Sequence, residues 1–159
     1  MADFVIRNED YADRVRRSFA RQGFMVSLGA SLTDVEPGRV EIVVPFSDNL
    51  AQQHGYFHGG VVGTLADNAG GYASFSLMAA SDSVLTVEYK LNLMAPAEGE
   101  RLIARGAVIR AGRRLTVSRS DVFVQRNGAE YLCATMLGTF MTLANTSDDP
   151  ARQTPSTSG

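Results

Sequence analysis

Asp67 is the only Asp, Glu, Lys or Arg between Asp48 and Asp82. It lies in the run His58-Gly59-Gly60-Val61-Val62-Gly63-Thr64-Leu65-Ala66-Asp67-Asn68-Ala69-Gly70-Gly71, which otherwise reads as the start of a buried helix. An ionised carboxylate in apolar surroundings is costly unless it is paired or hydrogen-bonded, and no Lys or Arg stands within helical reach of this one. A carboxylate held at such a cost is a candidate general base or nucleophile. The plainer alternative is an acid that faces a wet crevice or caps a loop. At the head of the same run, the Gly59 N–H lies at the positive end of the helix, with no partner inside it and no side chain in front of it. That is a donor suited to an oxyanion. His58 reads as an orienting group: its neighbours Gly59 and Gly60 carry no hydroxyl, and no G-x-S-x-G elbow occurs, so a Ser-His-Asp triad has little support.

The elements that must position these residues follow from periodicity. Asn8 can cap a short amphipathic helix carrying Tyr11, Val15 and Phe19 and ending near Gln22-Gly23. Phe24 to Leu32 and Arg39 to Val44 read as strands joined by a turn at Glu36-Pro37-Gly38. The stretch from Gly59 to Ala80 is apolar or small on all sides apart from its acid and Asn68, which fits a helix buried in a water-soluble protein better than a membrane span. Its small residues, Gly63, Ala66, Ala69, Gly70, Gly71 and Ala73, invite close approach of other backbone. Leu85, Val87, Tyr89, Leu91 and Leu93 then alternate with polar residues as a half-buried strand. Three more strands follow, Arg101 to Arg110, Leu115 to Gln125 and Glu130 to Leu143, with turns at Ala111-Gly112-Arg113 and Asn127-Gly128. The expected architecture is α+β: a helical segment over residues 1–23, then an antiparallel sheet ending in a four-strand meander and wrapped round one helix over 24–144, and a disordered Ser/Thr/Pro/Asp tail over 145–159.

The chain has 159 residues, enough for one domain with a real core. Its net charge of −2 at pH 7 argues against a general binder of nucleic acid or anionic membrane. Cys133 is the single cysteine, which excludes an intrachain disulfide, a thiolate cluster or a CxxC pair and fits a reducing cytoplasm. The first residues contain Asp3, Arg7, Glu9 and Asp10, so no apolar signal-peptide core is expected. His54 and His58 alone do not make a metal set, and no metal or other cofactor is expected.

The order of elements, His58-Gly59-Gly60 at the mouth of the central helix, Leu65, and Asp67 nine residues after the His resemble the hotdog-fold acyl-CoA thioesterases of the PaaI-like, phenylacetic-acid-degradation group. Gly55-x-x-His58 and Met94-Ala95-Pro96-Ala97 add to the likeness, which covers roughly Val26 to Leu143. Where many members carry Asn six residues before the His, this chain has Gln52, and where some carry Ser it has Thr86. The resemblance implies a hotdog sheet of about five to six strands, and hydrolysis of acyl-CoA thioesters. It also implies a homodimer or dimer of dimers, with Gly59, His58 and Gln52 from one chain facing Asp67 and Thr86 from another.

Helix geometry leads to the same sharing. Eight residues at about 1.5 Å each put Gly59 and Asp67 roughly 12 Å apart, whereas both must lie about 3 Å from atoms of one thioester. Strict alternation puts Thr86 away from the helix unless a bulge turns it inward. Asn68 touches either substrate or a neighbouring strand, and Gly60 is grouped with it as substrate-facing. Arg113 and Arg114, in an exposed turn, serve either as partners for coenzyme A phosphates or as solvated surface charges. Met78, Met94, Met136 and Met141 read as core or acyl-pocket filler. The expectation is a thioesterase for a small aromatic or medium-length acyl group. The alternatives are a non-catalytic acyl-CoA-binding or sensing domain, and a hotdog dehydratase that would work through a His.

Overall fold

Glycines and prolines punctuate the chain where the sequence places its turns. The computed structural model describes residues 4–149. Within them α1 (Tyr11–Ala20) and α2 (Gly23–Ser27) precede the hairpin β1 (Ser31–Glu36) and β2 (Arg39–Pro45). A single 3-10 turn, Asp48–Leu50, leads to α3 (Gly59–Phe75), and β3 (Ser83–Leu93), β4 (Arg101–Ala111), β5 (Leu115–Arg126) and β6 (Ala129–Leu143) follow. At the β1–β2 turn, Glu36 pairs with Arg39 across Pro37 and Gly38, and Gly38 takes the positive φ of 75° that a Pro-Gly turn requires. Asn127 and Gly128 have φ of 52° and 77°, the mirror-type turn that suits a two-residue hairpin.

The six strands form one antiparallel sheet in the order β1-β2-β4-β5-β6-β3. α3 contacts β2, β4, β5, β6 and β3. Those strands span four intervals of about 4.8 Å, some 19 Å, wider than a helix of about 10 Å, so the sheet must curl around α3. This is the hotdog arrangement. The small residues of α3 let it settle deep in the curl: a Cβ on Gly106 of β4 would stand 2.2 Å from the Ala69 carbonyl oxygen, and one on Gly70 3.0 Å from Ser120 Oγ. A continuous core of Val62, Leu65, Ile42, Leu102, Val122 and Phe140 fills the layer between helix and sheet.

Two expectations need correction. The segment expected as a strand from Phe24 opens instead as the one-and-a-half-turn α2; Met25 and Leu28, three apart, face the core, while Phe24 and Val26 are exposed. The last four strands are also not a meander in chain order, because β3 pairs with β6 at the far edge rather than with β4. Residues 94–100 cross the end of the sheet to make this possible, tied down by Met94 N–H and Ala95 N–H donating to Cys133 O and Glu100 N–H to Gln125 O.

α1 is clasped to the end of α3 by Arg14. Its buried guanidinium donates to the carbonyls of Met78 (3.4 Å), Ala79 (2.7 Å) and Asp82, and it lies 3.9 Å over the Phe75 ring. Residues 145–149, the start of the segment assigned to a disordered tail, turn back along α1: Asp148 pairs with Arg21 at 2.7 Å, and Asn145 N–H donates to Asp82. Residues 150–159 of that tail lie outside the described residues. Among the described residues no helix is long and apolar enough to cross a membrane.

Candidate active site

The head of α3 is built by two buried anchors. Leu50 and Phe57 are 4 % and 3 % exposed; Leu50 O accepts from His58 N–H at 2.8 Å, and Phe57 N–H donates to Ala97 O at 3.0 Å. The crossover between β3 and β4 thus braces the loop that carries His58. His58 is the N-cap of α3, and its Nδ1 accepts from Gly60 N–H at 2.9 Å. That leaves Gly59 N–H, at the first helical position, without a hydrogen-bond partner among the described residues. Gly60, grouped with the substrate contacts in the sequence, spends its N–H on the cap. Gln52 folds back on its own turn, where its Oε1 accepts from His54 N–H, and Gly55 closes that turn with a φ of 81°.

Asp67 lies two turns further along an uninterrupted α3. Thr86 Oγ1 donates to Asp67 Oδ1 at 2.9 Å. The reason is a bulge: the β3–β6 register slips between Thr86 and Glu88, so that Thr86 shares the helix-facing side with Phe140, while beyond the bulge Tyr89, Leu91 and Leu93 take that side. The apolar alternation read along this strand is therefore split, with Leu85 on the outer face and Tyr89 onwards on the inner. No ion pair among the described residues involves Asp67, and its second carboxylate oxygen has no partner there. Burial pushes the Asp67 pKa up, and the Thr86 hydrogen bond opposes this as the smaller effect.

The carboxylate opens on a cavity of about 260 Å³ between α3, α1 and the start of β3. Asn68 lines it too, with its amide donating to Thr64 O at 3.1 Å. Sequence reasoning missed the rest of the polar lining. There Tyr72 OH accepts from Gln22 Nε2 at 2.7 Å and lies 3.2 Å from Ser18 Oγ; Asp148 completes that lining. Ser18 stands on α1 beside its apolar stripe and Gln22 just past its end, a signal visible only once that stripe is known to pack against Tyr72. Burial raises the Tyr72 pKa as well.

One chain thus brings together Asp67, Thr86 and Asn68, and separately His58, Gly59, Gly60 and Gln52. Arg113 and Arg114 join neither group: they are exposed in the β4–β5 turn, across β6 from Leu85 by the register Leu115–Met141–Leu85. Among the described residues no group of three or more His, Cys, Asp or Glu side chains is placed to hold a metal ion.

Residues 54–130 match the thioesterase superfamily. A thioesterase family protein from Silicibacter pomeroyi, known from its crystal structure, is 49% identical, with a TM-score of 0.83 over 84% of this chain and 98% of that one. A candidate esterase of Saccharolobus solfataricus is 31% identical over 122 residues, 77% of this chain and 79% of that protein. The E. coli PaaI protein from the phenylacetic acid degradation operon, 17% identical, has a TM-score of 0.78 over 89% and 99% of the two chains, a likeness of fold.

Proposed function

The chain belongs to the thioesterase superfamily and is a thioester hydrolase, and from that premise we propose that it cleaves acyl-CoA thioesters to free acid and coenzyme A at sites shared between two copies. The observation that carries this reading is the Asp67 carboxylate: part-buried, unpaired by any cation among the described residues, oriented by Thr86 through one oxygen, and lining a cavity.

In the proposed arrangement the thioester carbonyl oxygen accepts from Gly59 N–H of one protomer, where the helix dipole favours the developing negative charge. Asp67 of the partner either takes a proton from the attacking water or attacks the carbonyl carbon to form an anhydride that water then opens. In both routes the carbon–sulfur bond breaks and the thiolate leaves. The acyl group occupies the cavity beside Asp67, which has room for roughly eight or nine groups the size of a water molecule, enough for a small ring or a medium chain.

The edge of β3 supports the pairing of two copies. It is eleven residues long and ends the sheet, and Leu85, Val87, Tyr89, Leu93 and Met94 are exposed on or just beyond it. A long apolar edge strand is a template for a second strand, and a two-fold axis there gives two equivalent sites.

The testing experiment is release of free thiol from a panel of acyl-CoA thioesters by the intact protein. Turnover that disappears in Asp67→Asn while the fold persists supports the reading. A protein that binds the panel without releasing thiol is an acyl-CoA-binding domain instead, and the catalytic reading then fails. Arg113 and Arg114 are proposed to hold coenzyme A phosphates: replacing both by Ala should raise KM for acyl-CoA but not for the matching acyl-pantetheine.

A further inference from the structure

The region that matches the thioesterase superfamily ends at residue 130 and begins at residue 54, yet three residues of the cavity beside Asp67 lie outside it: Ser18 on α1, Gln22 at the N-cap of α2, and Asp148 beyond β6. They do not line it by accident of a loose terminus. α1 is fixed to α3 by the Arg14 clasp and by edge-to-face packing of Phe19 on Tyr72, with ring centroids 5.8 Å apart. Asp148 is fixed to α1 by Arg21, which meets both its carboxylate, at 2.7 Å, and its carbonyl, at 3.1 Å.

The chemistry of this wall is unlike that of an alkyl-chain pocket. Tyr72 OH is spanned by Gln22 Nε2 and Ser18 Oγ, which leaves Gln22 Oε1 as an acceptor without a partner among the described residues. Asp148 adds a second carboxylate to that of Asp67, and no Lys, Arg or His is among the residues that line the cavity. The wall accepts hydrogen bonds through Gln22 Oε1 and through the Asp148 carboxylate, which is paired with Arg21.

We propose that Gln22, Tyr72 and Asp148 determine specificity by reading the far end of the acyl group. They favour an uncharged end that donates a hydrogen bond, such as a hydroxyl, over a plain alkyl end, and exclude an end that is itself a carboxylate. The physical basis is asymmetric. An alkyl end offers no hydrogen to the Gln22 carbonyl oxygen or the Asp148 carboxylate, while an anionic end meets two carboxylates with no cation among the lining residues. The proposal rests on the reading of Asp67 as the residue that acts on the thioester, since that fixes which end of the acyl group reaches this wall.

The test compares three thioesters of one length, hexanoyl-, 6-hydroxyhexanoyl- and adipoyl-CoA, as kcat/KM on the full chain. The expected order is hydroxyhexanoyl above hexanoyl above adipoyl, with at least tenfold between the extremes. Asp148→Asn, which keeps shape and removes charge, should restore adipoyl relative to hexanoyl by about tenfold. Gln22→Leu and Tyr72→Phe should abolish the preference for the hydroxylated chain, read as the kcat/KM ratio of hydroxyhexanoyl- to hexanoyl-CoA, with the change carried by KM. If all three thioesters are hydrolysed and their ratios are the same in wild type, Asp148→Asn and Gln22→Leu, the wall does not read the acyl end, and the role of Asp67 still stands. If none is hydrolysed, the acyl-CoA reading fails and takes this one with it.

Discussion

At Asp67 the proposed function and stability pull in opposite directions. Burial raises its pKa, so the folded protein holds that proton more tightly than the unfolded chain does. By linkage, stability falls as pH rises from the ordinary carboxylate range through the raised value, and the loss persists at neutral pH. Asp67→Asn keeps an oxygen for Thr86 to donate to and removes the charge. Turnover should drop by about 10²- to 10⁴-fold while the melting temperature at pH 7 holds or rises, and that thermal gain should vanish at a pH below the ordinary carboxylate range. A fall in melting temperature at pH 7 would mean the charge is compensated by a partner outside this chain. Thr86 bonds the ionised form, so Thr86→Val should move the acid limb of the kcat/KM profile to higher pH; a limb that stays or moves down removes Thr86 from the site. Asp67 was legible in the sequence because a lone acid in a run of small and apolar residues has no structural excuse. Gly59 was legible because a helix head without a side chain exposes its amide. Gln22 and Asp148 were not, because their position beside Asp67 exists only through the packing of α1 and residues 145–149, distant in sequence from α3.

Periodicity located the elements well where one face is buried, and failed where both are part-exposed. β4, β5 and β6 keep an inner row of buried residues over most of their length, and their bounds fall within a residue or so of those read from the sequence. α2 was misread because three consecutive apolar residues, Phe24-Met25-Val26, fit either period, and only Met25 is buried. The bulge in β3 left no mark in the alternation, since Val87 is apolar and exposed on an edge where either parity is tolerated. The seat of α3 against β4 offers a direct test of the packing argument. A methyl at Gly106 would run into the Ala69–Gly70 peptide group of α3, its carbonyl oxygen and amide nitrogen at 2.2 and 2.6 Å, and backbone cannot swing aside as a side-chain tip can. Gly106→Ala should therefore cost about 1–3 kcal/mol or more in urea unfolding. Gly128→Ala, with open space around its Cβ, should lose only what its positive φ demands, about 1 kcal/mol.

Whether the whole molecule works as a pair can be decided by arithmetic on mixed chains. Gly59 and Asp67 stand on one unbroken helix, so roughly 12 Å of helix separates them within a chain, and a single thioester reaches both only if they come from different chains. Gly59→Pro removes the amide hydrogen at the first helical position, where proline is best tolerated, and His58 before it already has an extended ψ of 138°. A Cβ added at Gly59 meets only the tip of Leu93, itself 59 % exposed and free to shift. Gly59→Pro and Asp67→Asn should each be folded and nearly inactive. When equal amounts exchange subunits at random, half the dimers are mixed, and in each of these one site unites an intact Gly59 with an intact Asp67 while the other holds both lesions. Thiol release should then climb to about a quarter of the wild-type rate, at a speed set by subunit exchange and with no gain if the dimers are cross-linked before mixing. A site complete within one chain gives no recovery at any mixing ratio, because every subunit carries a lesion of its own. The recovered fraction therefore reads the stoichiometry of the site directly, independent of which acyl group it prefers.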